Sequence, residues 1–93
     1  MLYLVIERYT NGDPAPVYRR FREQGRMMPS GVKYVGSWIT DDLANCYQVM
    51  ETDNRALLDE WMSHWSDLMQ FEVIGVLTSA EVQARMAPPN RSS

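Results

Sequence analysis

The sequence predicts an α+β fold of ferredoxin-like order, βαββαβ: a four-stranded antiparallel sheet with two helices on one face and a short extra helix at the C-terminal end. Three observations carry this. Four short segments are rich in β-branched, aromatic and long aliphatic residues, as strands are. Two longer segments repeat their apolar residues at helical spacing. One of these helical segments separates the first strand from the second, and the other separates the third from the fourth. At 93 residues there is room for one such unit and not for two. The domain is expected over residues 1–87, with 88–93 as a flexible C-terminal tail.

The first strand is Leu2–Tyr9, almost continuously apolar and therefore expected to be buried on both faces. Asn11-Gly12-Asp13-Pro14 stops it, with Asp13 suited to cap a helix and Pro14 to its first position. Val17, Tyr18, Phe21, Gly25 and Met28 then share one helical arc of about 100°, with Arg19, Arg22 and Arg26 in a separate stripe. This places the helix end at Pro29 and Gly31. Val32–Ile39 and Asn45–Thr52 flank the polar turn Thr40-Asp41-Asp42 and read as a hairpin. Asp53 is the expected cap of the second helix, whose apolar arc runs from Leu57 through Leu58, Trp61, Met62, Trp65 and Leu68 to Met69. Phe71–Leu77 forms the last strand. Thr78-Ser79-Ala80-Glu81 has the spacing of a capping box, and Pro88-Pro89 ends the small helix that it opens.

Right-handed crossovers put both main helices on one face and make the first and third strands the inner pair. The other face then carries one of the alternating sets, Leu2, Leu4 and Ile6 or Tyr3 and Val5, in company with Val49 or Met50. Either set leaves a larger apolar patch than a monomer normally exposes, so a homodimer packed sheet to sheet is expected.

Composition narrows the function classes. An apolar share of 45% with 23% charged residues belongs to a folded chain and not a disordered one. No apolar run approaches the ~20 residues of a membrane span, and Met1–Tyr9 reaches Glu7 too early for a signal peptide. A single cysteine, Cys46, fits a reducing compartment, and a cytoplasmic location is expected. The net charge of −3 is divided unevenly, +3 over residues 1–33 and −6 over 34–93. That division favours pairing within the chain or between subunits over nucleic-acid binding.

The stretches FREQGRMMPSGVKYVGSW, CYQVME and LLDEWMSHWSDLMQFEVIGV resemble a bacterial family catalogued as domain of unknown function number 3303. The likeness runs from Met1 to Leu77 and rests on Gly25-Arg26-Met27, Pro29, Gly31, Tyr34, Ser37-Trp38, Cys46, Gln48, Met50-Glu51, Trp61, Trp65 and Phe71-Glu72. It implies membership of the dimeric α+β barrel superfamily, which includes cofactor-free monooxygenases, haem-degrading enzymes and isomerases. It also implies a ligand pocket between the sheet and its own helices. No activity follows from the family itself.

Polar residues facing such a pocket are candidates for binding, because buried polar groups are paired or used. Glu7, Gln48 and Glu51, with Ser37, sit on strands among apolar neighbours, while Arg26, Tyr34 and Trp38 lie around the first helix end and second strand. The ligand-binding candidates are thus Glu7, Arg26, Tyr34, Trp38, Gln48 and Glu51. A carboxylate, a guanidinium and aromatic donors suit a planar or carboxylated small molecule. Alternatively, Glu7 or Glu51 pairs with Arg22 or Arg26 to tie helix to sheet. Arg26 has both options, a ligand clamp or a partner for Glu51.

Other residues carry less. His64 lies at the polar border of its helix and reads as a surface residue, and Trp61 and Trp65 read as core. Cys46 has no accompanying base and reads as a buried strand residue. One histidine and one cysteine cannot supply an all-N/S zinc site, Gly25, Gly31 and Gly36 form no phosphate loop, and a turn accounts for Asp41-Asp42. No cofactor and no metal is expected. The sequence supports a small-molecule binding protein, extending to a monooxygenase- or isomerase-like enzyme. A non-catalytic dimeric interaction module is the alternative.

Overall fold

In the computed structural model, which describes residues 1–87, β1 (Leu2–Tyr9), β2 (Lys33–Ile39), β3 (Asn45–Glu51) and β4 (Met69–Val76) form one antiparallel sheet in the order β2-β3-β1-β4. The inner strands are β1 and β3, as the crossover rule requires. Register pairs Val5 with Gln48 and Val73, and Glu7 with Cys46 and Phe71. One face of β1 therefore carries Tyr3, Val5, Glu7 and Tyr9, and the other carries Leu2, Leu4, Ile6 and Arg8. Val5, Tyr9, Cys46, Met50 and Met69 from the first face pack with Val17 of α1 (Ala15–Gln24) and Leu58 and Trp61 of α2 (Arg55–Ser63) into the core. Both helices thus cover the same face. The second face keeps Leu2, Leu4, Ile6 and Val49 half-buried and leaves Trp38, Tyr47 and Ile74 exposed.

The elements differ from the sequence reading at their ends, for local reasons. A short 3₁₀ turn at Thr10–Gly12 precedes α1, and Pro14 occupies the cap position while Asp13 Oδ1 accepts from the Ala15 amide at 3.0 Å. The helix stops at Gln24 rather than at Pro29. Gly25 takes φ 69°, and its amide donates to the Phe21 carbonyl at 2.8 Å, closing the last turn. A Cβ on Gly25 would touch nothing within 4 Å, so the positive φ and not crowding is what favours glycine there. Met27 also has positive φ, at 58°. Arg26 and Met28 therefore belong to a loop and not to the helix stripes.

The cap of α2 is Asn54 and not Asp53. Asn54 Oδ1 accepts from the Ala56 amide at 3.0 Å, while Asp53 faces the chain's N-terminal amine at 3.8 Å. The regular helix ends at Ser63, short of the Met69 that periodicity allows. A tight run of turns follows, with amides of His64, Trp65 and Leu68 each donating to the carbonyl three residues back. This tighter winding keeps Trp65 on the apolar side and releases Met69 into β4. A bulge in β2 between Tyr34 and Gly36 shifts its register against β3. The capping box forms as expected, Thr78 and Glu81 exchanging hydrogen bonds of 3.0 and 3.1 Å at the start of α3 (Ser79–Met86). The expected tail 88–93 and the Pro88-Pro89 stop lie outside the described residues.

The uneven charge distribution resolves into contacts between the two halves. Arg20 holds Asp67 with two bonds of 2.7 and 2.8 Å and donates to the His64 carbonyl at 2.8 Å, tying α1 to the turn after α2. Arg8 pairs with Glu72 at 3.0 Å across β1 and β4. Among the described residues no helix is long and apolar enough to cross a membrane.

The cap assignment is directly testable. Asn54→Ala is expected to lower stability by about 1 kcal/mol, whereas Asp53→Ala, which removes only an exposed charge and its solvent-screened pairing with the N-terminal amine, is expected to stay within about 0.5 kcal/mol. Urea unfolding of both variants checks the contrast.

Candidate functional site

Between the helices and the covered face of the sheet lies a cavity of about 190 Å³. Its floor is Glu7 and Tyr9 of β1 with Cys46 and Gln48 of β3. Ser37 and Ile39 of β2 and Met69 of β4 close its sides. Val17, Tyr18 and Phe21 of α1, Trp61 of α2, and the following Trp65 form its roof, and Arg26 stands beside the end of α1. The placement follows from the period of two: Glu7 is two residues from Val5 and from Tyr9, so a carboxyl must enter the same layer as the core.

Glu7 is the chemical centre of this cavity. It is 2% exposed, and burial pushes its carboxyl up to about 7. Contacts from the Cys46 thiol and the Gln48 amide, and the charge of Arg26, act in the opposite direction without cancelling the burial effect. Gln48, 7% exposed, donates from Nε2 to Glu7 Oε2. Its Oε1 is buried with no hydrogen-bond partner among the described residues. Burial and the adjacent Glu7 push the Cys46 thiol up to about 12, so it stays protonated and a poor nucleophile. Burial likewise raises the Tyr9 phenol. The cavity thus holds one carboxyl that changes charge near neutrality, beside a thiol and a phenol that burial keeps protonated.

Arg26 is held by its backbone as much as by its side chain. The indole N–H groups of Trp61 and Trp65 both donate to the Arg26 carbonyl, at 2.9 and 3.2 Å. Its guanidinium lies 3.8 Å from the Tyr34 ring centroid and 5.1 Å from that of Phe21, and no carboxylate lies within 4 Å of it among the described residues. Tyr34 and Ser37 share a hydrogen bond of 2.6 Å, which links the ring beneath Arg26 to the cavity wall.

Of the six candidates, Glu7, Gln48 and Arg26 come together around the cavity, and Tyr34 joins them through Arg26. Trp38 and Glu51 do not. Trp38 pairs in register with Tyr47 on the opposite face of the sheet and is 62% exposed. Glu51, opposite Leu2 and Lys33, is exposed at the far end of β3. The bulge explains the misplacement of Trp38, since one extra residue in β2 reverses which side chains face the helices. The Arg26–Glu51 ion pair accordingly does not form. Tyr9, Tyr18 and Phe21 line the cavity in addition to the sequence candidates. Their signal was available in the shared period of Glu7 and Tyr9 and in the α1 arc. His64 is exposed and outside the cavity, its carbonyl taken by Arg20. Among the described residues no three His, Cys, Asp or Glu side chains converge as a metal site would need.

The family model described as Domain of unknown function (DUF3303) matches residues 1–89. No curated protein and no solved structure matches the chain.

The raised Glu7 carboxyl sets a sign for the pH dependence of stability. The folded protein binds this proton more tightly than the unfolded chain, so the contribution of Glu7 is most favourable below about pH 4.5 and is lost as pH rises towards 7. The lost stability is about 3 kcal/mol at most. Glu7→Gln, which removes the buried charge, is therefore expected to raise Tm at pH 8 relative to wild type and to lose that advantage at pH 4.5. An equal shift at both pH values would contradict the assignment.

Proposed function

Because the chain belongs to the family described as Domain of unknown function (DUF3303), whose description assigns no activity, we propose its function from the cavity: it binds a small, largely apolar molecule between sheet and helices. The observation that carries this is the Glu7–Gln48 pair. A buried carboxyl that costs stability, beside an amide oxygen left without a partner, is poor core design and a good ligand site. Five aromatic rings, of Tyr9, Tyr18, Phe21, Trp61 and Trp65, supply flat walls.

A carboxyl near 7 exists in both protonation states close to neutral pH, the condition for moving a proton to and from a bound molecule. Glu7 is therefore the residue for cofactor-free, isomerase-like proton transfer, with Arg26 stabilising negative charge that develops at the cavity edge. The monooxygenase-like reading draws on the same cavity. The single cysteine and its protonated thiol are consistent with action in a reducing bacterial cytoplasm.

The non-catalytic alternative has its own observation. On the uncovered face Trp38 is 62% exposed, with Val35, Tyr47 and Ile74 also exposed over half-buried Leu2, Leu4, Ile6 and Val49. A second copy packed there, giving the dimeric α+β barrel arrangement, removes this surface from water. The two readings are compatible, since the cavity lies on the other side of the sheet.

Each reading has an expected outcome. In a thermal-shift screen of small ring compounds, some are expected to raise Tm of the wild type and not of Ile39→Trp. That variant adds a ring at a cavity residue already more than a third exposed. No shift in wild type, or equal shifts in both proteins, would remove the binding reading. Light scattering is expected to give about twice 10.8 kDa at micromolar concentration, and about 10.8 kDa for Trp38→Asp. A wild-type mass of 10.8 kDa would remove the sheet-to-sheet dimer.

A further inference from the structure

The polar groups of the cavity specify the hydrogen-bonding character of what it takes. Gln48 has two chemically distinct ends. With Nε2 donating to Glu7 Oε2, the amide is oriented, and turning it over would set its oxygen against the ionised carboxylate. The end left over is Oε1, a covered acceptor on a residue that lines the cavity, nine-tenths buried with its residue and without a donor among the described residues. An unmade hydrogen bond of this kind costs free energy in the empty protein that a suitable ligand recovers.

The charges around it fix the rest. Ionised Glu7 and Arg26 balance one another at the cavity. The other titratable groups lining it are Tyr18, Tyr9 and Cys46, and burial holds the last two in their neutral, protonated forms. From α2 and the turn after it come only Trp61 and Trp65, which carry no charge. A net anion would meet Glu7 and the Gln48 oxygen. A net cation would meet the Arg26 guanidinium in a site that already balances its charge.

We propose that the cavity takes a neutral single-ring molecule bearing a hydroxyl or N–H donor, and that Gln48 Oε1 receives that donor. This rests on the binding reading above and narrows it to a ligand class. A volume of about 190 Å³ equals about six waters at liquid density, enough for one substituted ring. The aromatic walls stack or edge against the ring, and the donor points at the β1–β3 floor, where Glu7 lies beside Gln48.

The test uses four probes at pH 8 on the intact protein: phenol, anisole, benzoate and benzylammonium. Binding is followed by the NMR shifts of the Trp61 and Trp65 indole N–H groups, both from residues that line the cavity. Phenol is expected to bind at least tenfold more tightly than anisole, which has the same ring and no donor. It is also expected to exceed both charged probes by at least as much. In Gln48→Met, of similar length and unable to accept well, the preference for phenol over anisole is expected to fall below threefold. Anisole or a charged probe within threefold of phenol on the wild type would overturn the proposal while leaving the binding reading intact. Persistence of the preference in Gln48→Met would do the same. Silence from all four probes would overturn the binding reading and this inference together. The wild-type comparison stands whether or not the variant folds.

Discussion

The Arg26 carbonyl, accepting from two tryptophan indoles at 2.9 and 3.2 Å, is the contact on which the helical layer depends. A backbone carbonyl has two lone pairs, and both are used here by side chains from one short stretch of chain. That fixes the loop after α1 against α2 and the turn beyond it. Burying the two indoles is then possible without stranding their N–H groups. Arg20, bridging from α1 to Asp67 and the His64 carbonyl, holds the same pair of segments from the solvent side. Trp61 packs edge-on against Phe71 of β4 at 5.7 Å, so the clamp reaches the sheet as well. With the helices held at these points, the space beneath them stays open between Glu7, Gln48 and the rings of α1.

Glu7 stands in contrast to this satisfied framework. It sits on the central strand, between two neighbours that complete the core, and burial raises its carboxyl to about 7. Nearby groups soften that cost without removing it. Leucine at this position would pack without any such penalty, and Gln48 opposite would then need its own partners. The local conflict between a charge-bearing residue and a core position is the usual mark of a site whose chemistry is placed ahead of stability. The protein concentrates this conflict on one side of the sheet. On the other side, Arg8 and Glu72 simply pair at the surface, with nothing buried.

The two faces of the sheet therefore raise different physical problems. The covered face encloses polar groups within an apolar layer, whereas the uncovered face offers apolar groups to water. Because side chains alternate along each strand, changes on one face leave the other nearly untouched. The proposed ligand binding beneath the helices and the proposed association through the open face are accordingly compatible. Coupling between them would pass through the sheet itself, since every strand carries residues to both faces.

Much of this was determined by the sequence alone. Apolar periodicity placed all four strands and both main helices, polar spacing placed the Thr78–Glu81 capping box, and the crossover rule placed β1 and β3 at the centre. Glu7 and Gln48 were legible as polar residues among apolar strand neighbours, and the pairing of β1 with β3 is what brought them together at the cavity floor. Tertiary structure decided what local pattern could not. Gly25 ended α1 early by adopting positive φ, which moved Arg26 off the helix and under the tryptophans. The competition between Asp53 and Asn54 for the cap was settled by which side chain reached the Ala56 amide. Above all, one bulge in β2 turned Trp38 to the open face and brought Ser37 to the cavity. Strand residues carry their facing only relative to a register, and a register is a property of two strands paired, which no single segment contains.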